Sequence, residues 1–265
     1  MKIRLLVCLA SLALVAPAHA ASSQWTKTPG GSVRLIVENP AASASQVRGA
    51  IQIDLDPGWK TYWREPGDAG VPPELDLSGS TNIKAHALSF PVPHRFEEGS
   101  TNWAGYKKPV FLPVTLTLAE PGKPVQIKGH AFLGICETIC IPVTAQFEFS
   151  IDGTPSDPLS TTLVATAFED LPAAASDRFG AMSASKEGDM LAVSVTLPAD
   201  DPDIDIFVAG DGAVSLGMAK LKSREGQHAT FSVPVISGKI KKPLVLAYTL
   251  VQGKAAVSGT IPVRE

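Results

Sequence analysis

Residues 132–142 read FLGICETICIP and contain Cys136 and Cys140, the only cysteines after residue 20. On one extended strand, residues four apart are separated by roughly 13 Å, which is too far for a disulfide. A helix is disfavoured, because the segment is rich in β-branched residues and Pro142 cannot continue a helix. The remaining arrangement is a tight hairpin with residues 137–139 as its loop. In that hairpin the two cysteines face each other at a distance that a disulfide can span.

A disulfide in this position contributes little as a covalent staple. In the loop-entropy model, closing about five residues stabilises a fold by only ~2 kcal/mol, against ~4.7 kcal/mol for a loop of about a hundred residues. Short bridges beside turns have the exposure and strain of labile, catalytic disulfides. Three interpretations therefore stay open at this point: a redox-active disulfide, a structural disulfide, or a pair of free thiols that binds a metal.

A family resemblance rests on this hairpin and on three upstream segments. These are GWKTYWREPGDAG at 58–70, FPVP at 90–93 and FEEG at 96–99. Together they resemble the periplasmic N-terminal domain of DsbD-type thiol:disulfide interchange proteins, in particular the branch called suppressor of copper sensitivity protein B. The resemblance is strong over residues 33–150 and weaker elsewhere.

The resemblance implies a function and its partners. Cys136 and Cys140 would be the catalytic pair of a periplasmic thiol–disulfide interchange module, with Cys140 forming the mixed disulfide and Cys136 resolving it. Electrons would come from a membrane donor of the DsbD/CcdA type and pass to a thioredoxin-fold periplasmic protein. If the chain is an enzyme, it is a protein-disulfide reductase whose only redox group is the disulfide.

Two other functions use the same residues differently. The thiols of Cys136 and Cys140 suit Cu(I), and the branch takes its name from copper tolerance, so a copper(I)-binding protein is one alternative. A redox-inert periplasmic adaptor with a structural disulfide is the other.

Aromatic residues upstream are candidates for a shield over the cysteines. Residues 62–70 form one candidate loop and residues 102–106 a second wall; packing in the core is an equally good interpretation of both. The candidate shielding residues are Tyr62, Trp63, Glu65, Asp68, Trp103 and Tyr106.

The local sequence does not favour a thiolate. No Lys, Arg or His lies within five residues of either cysteine, and Glu137 adds negative charge between them. Folding can still bring the positive charge of Arg64, Lys107 or Lys108 close to the cysteines.

Residues 1–20 have the pattern of a cleavable signal peptide, which predicts export to the periplasm. Lys2 and Arg4 precede an apolar run, and Ala18-His19-Ala20 fits a cleavage site near Ala20. Without these residues the chain has 21 basic and 26 acidic residues, a formal charge of −5. That charge argues against nucleic-acid binding. No later apolar run is long enough to span a membrane.

The remaining chain predicts an all-β protein of two immunoglobulin-like β-sandwich domains. The full sequence has 22 prolines and 22 glycines, which punctuate short apolar runs. The expected domains are 21–153, which carries the cysteines, and 154–265, with a linker over 152–158 and an alanine-rich helix over 159–175 interrupted at Pro172. Expected strands are 33–37, 47–54, 84–89, 110–118, 125–133 and 144–151, then 190–197, 204–208, 228–235, 244–250 and 255–263. The second half, which lacks cysteine, is expected to position the first or to bind a partner.

Overall fold

The computed structural model describes residues 22–41, 43–151, 158–238 and 243–264. The expected signal peptide, the domain boundary near residue 154 and nearly all of the expected linker lie outside these ranges. The described chain consists of strands and one short helix, which confirms the all-β, immunoglobulin-like fold class. No described helix has the length and apolar character that crossing a bilayer requires.

The described part of the first half contains eleven strands. They are β1 (Thr26–Thr28), β2 (Gly31–Val37), β3 (Gln46–Leu55), β4 (Thr61–Gly67), β5 (Glu74–Asp76), β6 (Ile83–Leu88), β7 (His94–Glu98), β8 (Thr101–Tyr106), β9 (Val110–Leu118), β10 (Val125–Cys136) and β11 (Cys140–Ile151).

Two of their sheets form a sandwich. A five-stranded sheet of order β1-β2-β3-β9-β6 packs against a three-stranded sheet of order β11-β10-β5. Alternate residues of each strand point inward, as Val33 and Leu35 do on β2 and Leu133 and Ile135 on β10, so the two inner faces bury one apolar core. A third sheet, β4-β8-β7, lies beside the end of β10 and carries most of the aromatic residues described below.

The long hairpin β10–β11 extends further than its apolar pattern predicts. The expected strands 125–133 and 144–151 are present, but β10 continues to Cys136 and β11 begins at Cys140. Strands β4, β7 and β8 were not predicted, because their residues do not alternate regularly between buried and exposed.

The helix α1 (Pro158–Glu169) is shorter than predicted and packs on the first half. Its Val164 and Ala167 cover Ile36 and Ala50 on the outer face of the five-stranded sheet. The prediction that the helix reaches residue 175 is wrong. Pro172 disfavours helical conformation in the residue before it and lacks an N–H, and the next two residues pair instead with the last strand of the chain.

Within residues 158–238 and 243–264, the second half contains nine strands. They are β12 (Ala173–Ala174), β13 (Gly180–Glu187), β14 (Met190–Thr196), β15 (Ile204–Ala209), β16 (Val214–Leu216), β17 (Lys220–Glu225), β18 (His228–Gly238), β19 (Val245–Gln252) and β20 (Ala255–Arg264). All five strands expected in this half are present to within a few residues.

These strands enclose a second core, and one of them is buried on both faces. The main path runs β15-β19-β20-β13-β14-β18-β16, and β20 changes layer through a short parallel pairing with β13. On β15, Ile206 and Val208 point into the second core, whereas Phe207 and Ala209 join the core of the first half. The two halves therefore share a continuous apolar contact.

Strand β4 and its neighbours form the first half's side of that contact. The ring centroids of Trp63 and Phe207 are 6.0 Å apart in an edge-on arrangement. Arg95 makes a bidentate ion pair with Asp205, with Nε–Oδ2 at 2.9 Å and Nη2–Oδ1 at 2.5 Å, and Nη2 also donates to the carbonyl of Ala219. A bidentate pair between a planar guanidinium and a carboxylate fixes the relative orientation of the two groups as well as the distance between them.

Glu65 is a partly buried carboxylate in the same contact. It accepts hydrogen bonds from Ser215 Oγ at 3.4 Å and from the backbone N–H groups of Leu216 and Gly210. Burial raises the pKa of Glu65 to about 7, and the three hydrogen bonds offset only part of that effect.

Phe207→Ala should destabilise the first half although the residue belongs to the second. Removing a buried Phe side chain typically costs about 3–5 kcal/mol, because the cavity refills only partly. All four tryptophans lie before residue 104, so urea unfolding followed by tryptophan fluorescence reports the first half. Ile236→Ala, at a half-exposed position on β18, is the control. A loss below about 1 kcal/mol in the Phe207 variant would show that the contact contributes little.

Glu65 should make stability depend on pH. Its pKa is raised in the folded protein to about 7 from an ordinary value of 4.5, so the folded state keeps a proton that the unfolded state releases. The free energy of unfolding should therefore fall as pH rises from about 5 to about 7.5. Glu65→Gln should remove that part of the pH dependence, measured by urea titrations across this range.

The matched control for this variant is Glu225→Gln, which alters an exposed carboxylate of the second half. An unchanged pH slope in Glu65→Gln would mean that the Glu65 carboxylate is solvated in solution.

Candidate functional site

The cysteines close the β10–β11 hairpin as predicted. Its antiparallel register runs without interruption from Val125 opposite Ile151 to Cys136 opposite Cys140, with residues 137–139 as the loop. Their Cα atoms are 4.1 Å apart and the sulfurs are bonded. The predicted disulfide hairpin is confirmed.

The two sulfurs sit in different surroundings. Cys136 is 1 % exposed, whereas Cys140 is exposed together with the three loop residues before it. Ile139, at the tip of the loop, is 77 % exposed. Cys140 therefore lies at the surface, while Cys136 lies beneath the neighbouring side chains.

Lys60 pairs with Cys136 on the side away from Cys140. The backbone N–H of Lys60 donates to the carbonyl of Cys136 at 2.8 Å, and the N–H of Cys136 donates back at 2.9 Å. Cys136 thus lies between Lys60 and Cys140 in a row across three chain segments. Residues directly opposite each other in an antiparallel pair point to the same face, so the three side chains share one face.

Tyr62 covers the disulfide from that face. Its hydroxyl lies 3.1 Å from Cys140 Sγ and donates, since a disulfide sulfur carries no proton. Burial, and secondarily the negative charge of Glu98, raises the pKa of Tyr62. Two glycines leave room for the ring: a Cβ at Gly134 would lie 3.4 Å from Tyr62, and one at Gly70, where φ is +138°, only 2.6 Å away.

Trp103 and Phe96 complete what we term the aromatic cover, formed by Tyr62, Phe96 and Trp103. Trp103 meets Tyr62 edge-on at 5.5 Å between centroids and stacks with Phe96 at 4.2 Å. Tyr62, Trp103 and Cys136 form one buried apolar cluster with Phe96 packed against it. The cover is built by β4 and the β7–β8 hairpin.

A small charged network borders the cover. Glu98 binds the ammonium of Lys60 and lies 3.0 Å from that of Lys107. The Lys60 and Lys107 ammonium groups lie 4.7 and 5.5 Å from the centroid of Trp103. Hydrogen bonding from Lys60, then from Lys107, lowers the pKa of Glu98.

The other candidate shielding residues lie elsewhere. Trp63, next to Tyr62 on β4, points to the opposite side and packs in the core. Glu65 faces the second half, and Tyr106 is buried with its hydroxyl donating to the carbonyl of Pro91. Asp68 accepts from the backbone N–H of Asn102 at 2.9 Å, which ties the loop after β4 to β8.

Of the three cations that folding can bring near, only Lys107 contacts the cover. Arg64 stacks on Phe90 instead, and Lys108 is exposed. Sequence analysis missed Lys60, which lies 76 positions before Cys136 and reaches it through strand pairing. The motif around Trp59 contains it, but no local signal distinguishes it from a surface lysine. Among the described residues, no group of three or more His, Cys, Asp or Glu side chains is arranged to hold a metal ion.

Comparisons with known proteins agree with this geometry. The family described as "Thiol:disulfide interchange protein DsbD, N-terminal" matches residues 32–151. Among solved structures, the N-terminal periplasmic domain of ScsB from Proteus mirabilis superposes with a TM-score of 0.73 at 22 % identity, over 93 % of this chain and 99 % of that one. It therefore has the same overall fold.

A conserved domain protein from Bacillus anthracis aligns over 91 % of this chain and 88 % of its own, at 12 % identity, but its TM-score of 0.27 carries no argument. No curated protein sequence matches the chain. Residues 32–151 contain the cysteine hairpin, Lys60 and the whole aromatic cover, so the family match and the structural match together support a DsbD-type N-terminal domain in this part of the chain, similar to that of ScsB.

Proposed function

We propose that this protein is a periplasmic relay that passes electrons through Cys136 and Cys140 from a membrane reductant to an oxidised thioredoxin-fold protein. The observation that carries the proposal is the unequal exposure of a disulfide within a DsbD-type domain. Cys140 is an exposed residue, and Cys136 is buried under the aromatic cover. A disulfide serving only as a clip needs no such difference, and its short loop would stabilise the fold little.

The exchange takes place in two balanced steps. A thiolate of the donor attacks Cys140 Sγ and forms a mixed disulfide, while the Cys136–Cys140 bond breaks and its electron pair stays on Cys136. The donor's second thiolate then attacks its own sulfur in the mixed disulfide and releases Cys140. The donor ends as a disulfide, and this protein has gained two electrons and, once both thiols are neutral, two protons.

The reverse sequence delivers the electrons. The Cys140 thiolate attacks the disulfide of the recipient, and Cys136 then attacks Cys140 Sγ, which releases the reduced recipient and restores the disulfide. Exposure of Cys140 suits contact with partners, and burial of Cys136 suits the internal step. This agrees with the roles that the family resemblance implies for the two residues.

The cover gives the exchange selectivity. Access of a thiolate to the sulfur is one of the factors that set exchange rates. Tyr62 and Trp103 shield Cys136, which directs attack to Cys140, the one residue that a docked partner needs to reach. The structurally similar domain of ScsB from Proteus mirabilis is periplasmic, which supports the same location for this chain, together with the signal-like residues 1–20.

The disulfide should open reversibly in the folded protein. Across a series of glutathione buffers, alkylation of free thiols should show a two-electron transition while circular dichroism stays native. In single-cysteine variants, Cys136→Ser should react with the aromatic disulfide DTNB about tenfold or more faster than Cys140→Ser, because only the former keeps the exposed thiol.

Cys140→Ser is thus the matched control for Cys136→Ser. A disulfide that opens only in denaturant would contradict the relay and would support a purely structural disulfide. Equal DTNB rates would contradict the assignment of Cys140 as the residue that meets partners.

Trp103→Ala should weaken the shield. With the indole gone, reduction of the disulfide by dithiothreitol should quicken by roughly twofold or more, because Cys136 becomes a second sulfur open to attack beside the exposed Cys140. Trp25→Ala, at a more exposed tryptophan that stacks on Arg34, provides the control, and circular dichroism checks the fold. An unchanged rate in the folded Trp103→Ala variant would mean that the aromatic cover is ordinary core packing and does not limit access to the disulfide.

A further inference from the structure

Lys60 is held opposite Cys136, the residue whose sulfur leaves during exchange. Two backbone hydrogen bonds, of 2.8 and 2.9 Å, place Lys60 directly opposite Cys136. Cβ atoms of such pairs are about 4.5–5.5 Å apart and point to the same face. The row Lys60–Cys136–Cys140 therefore has a lysine on one side of Cys136 and its disulfide partner on the other.

The lysine side chain is enclosed together with Cys136. It is only 10 % exposed, and its ammonium lies 4.7 Å from the centroid of Trp103, the ring that also packs on Cys136. Trp103 and the strand pairing limit where this side chain can go. A buried ammonium is rare without a specific role or partner.

Among the charged groups around Cys136, Lys60 is the cation best placed to stabilise negative charge on the Cys136 sulfur. Ionisable or polar groups reach the site from every neighbouring element: Lys60 and Tyr62 from β4 and the residue before it, Glu98 from β7, Lys107 after β8, and Glu137 from the hairpin loop. Glu98 is shared, because Lys107 lies 3.0 Å from its second oxygen. When negative charge develops on Cys136, Lys60 can turn toward the sulfur while Lys107 remains paired with Glu98.

We propose that Lys60 is a positioning residue that stabilises the thiolate of Cys136 during disulfide exchange. This inference rests on the function proposed above. When an external thiolate bonds to Cys140 Sγ, the electron pair of the broken bond collects on Cys136 in an apolar, buried cluster. A thiolate there is costly without a counter-charge. An opposite charge within about 4–6 Å favours the charged form of a group by roughly tenfold or more, and a more stable thiolate leaves faster.

The direct test titrates Cys136 alone. In a Cys140→Ser background, ultraviolet absorbance of the thiolate is followed against pH, which needs no reagent to reach the buried sulfur. Lys60→Met should move the midpoint of this titration to higher pH, and Lys60→Arg should largely restore it. Lys108→Met removes the same charge from an exposed position and should leave the midpoint in place.

Glu98→Gln separates two roles for Lys60. If Lys60 acts only by holding the β7–β8 hairpin through Glu98, both variants break the same ion pair. Lys60→Met and Glu98→Gln should then move the midpoint of the Cys136 titration in the same direction. If Lys60 supplies charge to the sulfur, Glu98→Gln frees the ammonium and should move the midpoint to lower pH, opposite to Lys60→Met. The proposal would be overturned if Lys60→Met and Glu98→Gln moved the midpoint in the same direction, or if Lys60→Met left it unchanged.

Exchange kinetics complete the test in the protein with both cysteines. Reduction by dithiothreitol at neutral pH should slow by roughly three- to tenfold in Lys60→Met. An opened cover alone would speed reduction, so a faster rate contradicts the proposal. A wild-type disulfide that resists native reduction would refute the relay itself, and the titration of the Cys140→Ser variants would still decide the role of Lys60.

Discussion

The pair of backbone hydrogen bonds between Lys60 and Cys136 is the contact on which the site depends. It joins the end of the cysteine hairpin to the chain segment that leads into β4. Through that junction Tyr62 reaches the disulfide, and Trp103 follows because β8 pairs with β4. Without it, the hairpin would project from the sandwich with both sulfurs equally open. The difference between Cys136 and Cys140 is thus produced by strand pairing more than by the residues nearest to them in sequence.

Strand β4 also links the disulfide to the second half of the chain. Successive side chains of a strand point to opposite faces. Tyr62 faces the sulfurs, whereas Trp63 packs toward Phe207 and Glu65 accepts hydrogen bonds from β16 and its surroundings. The second half thereby supports the back of the strand whose front covers the disulfide. That arrangement explains how a half without cysteine contributes to the site.

Much of the architecture could be predicted from the sequence, because its causes are local. The hairpin follows from the spacing of Cys136 and Cys140 and from Pro142, and the long strands follow from apolar alternation. The missing parts are non-local. Nothing near Lys60 indicates that it pairs with a residue 76 positions later. Tyr62 and Trp63 are both large and aromatic, so alternation could not tell which faces the sulfurs. The end of α1 was missed because pairing of residues 173–174 with β20 competes with helix propensity.

The placement of the two sulfurs also limits the kinetics of any exchange. Only Cys140 meets solvent, so a donor and a recipient would have to bind over the same small surface around the hairpin tip and could not occupy it together. Turnover would then alternate between an oxidised and a reduced form of this protein, each competent for one partner only. Such double-displacement kinetics give parallel lines in reciprocal plots, with each partner inhibiting competitively against the other at high concentration. One buried cysteine thus keeps the two half-reactions apart in time.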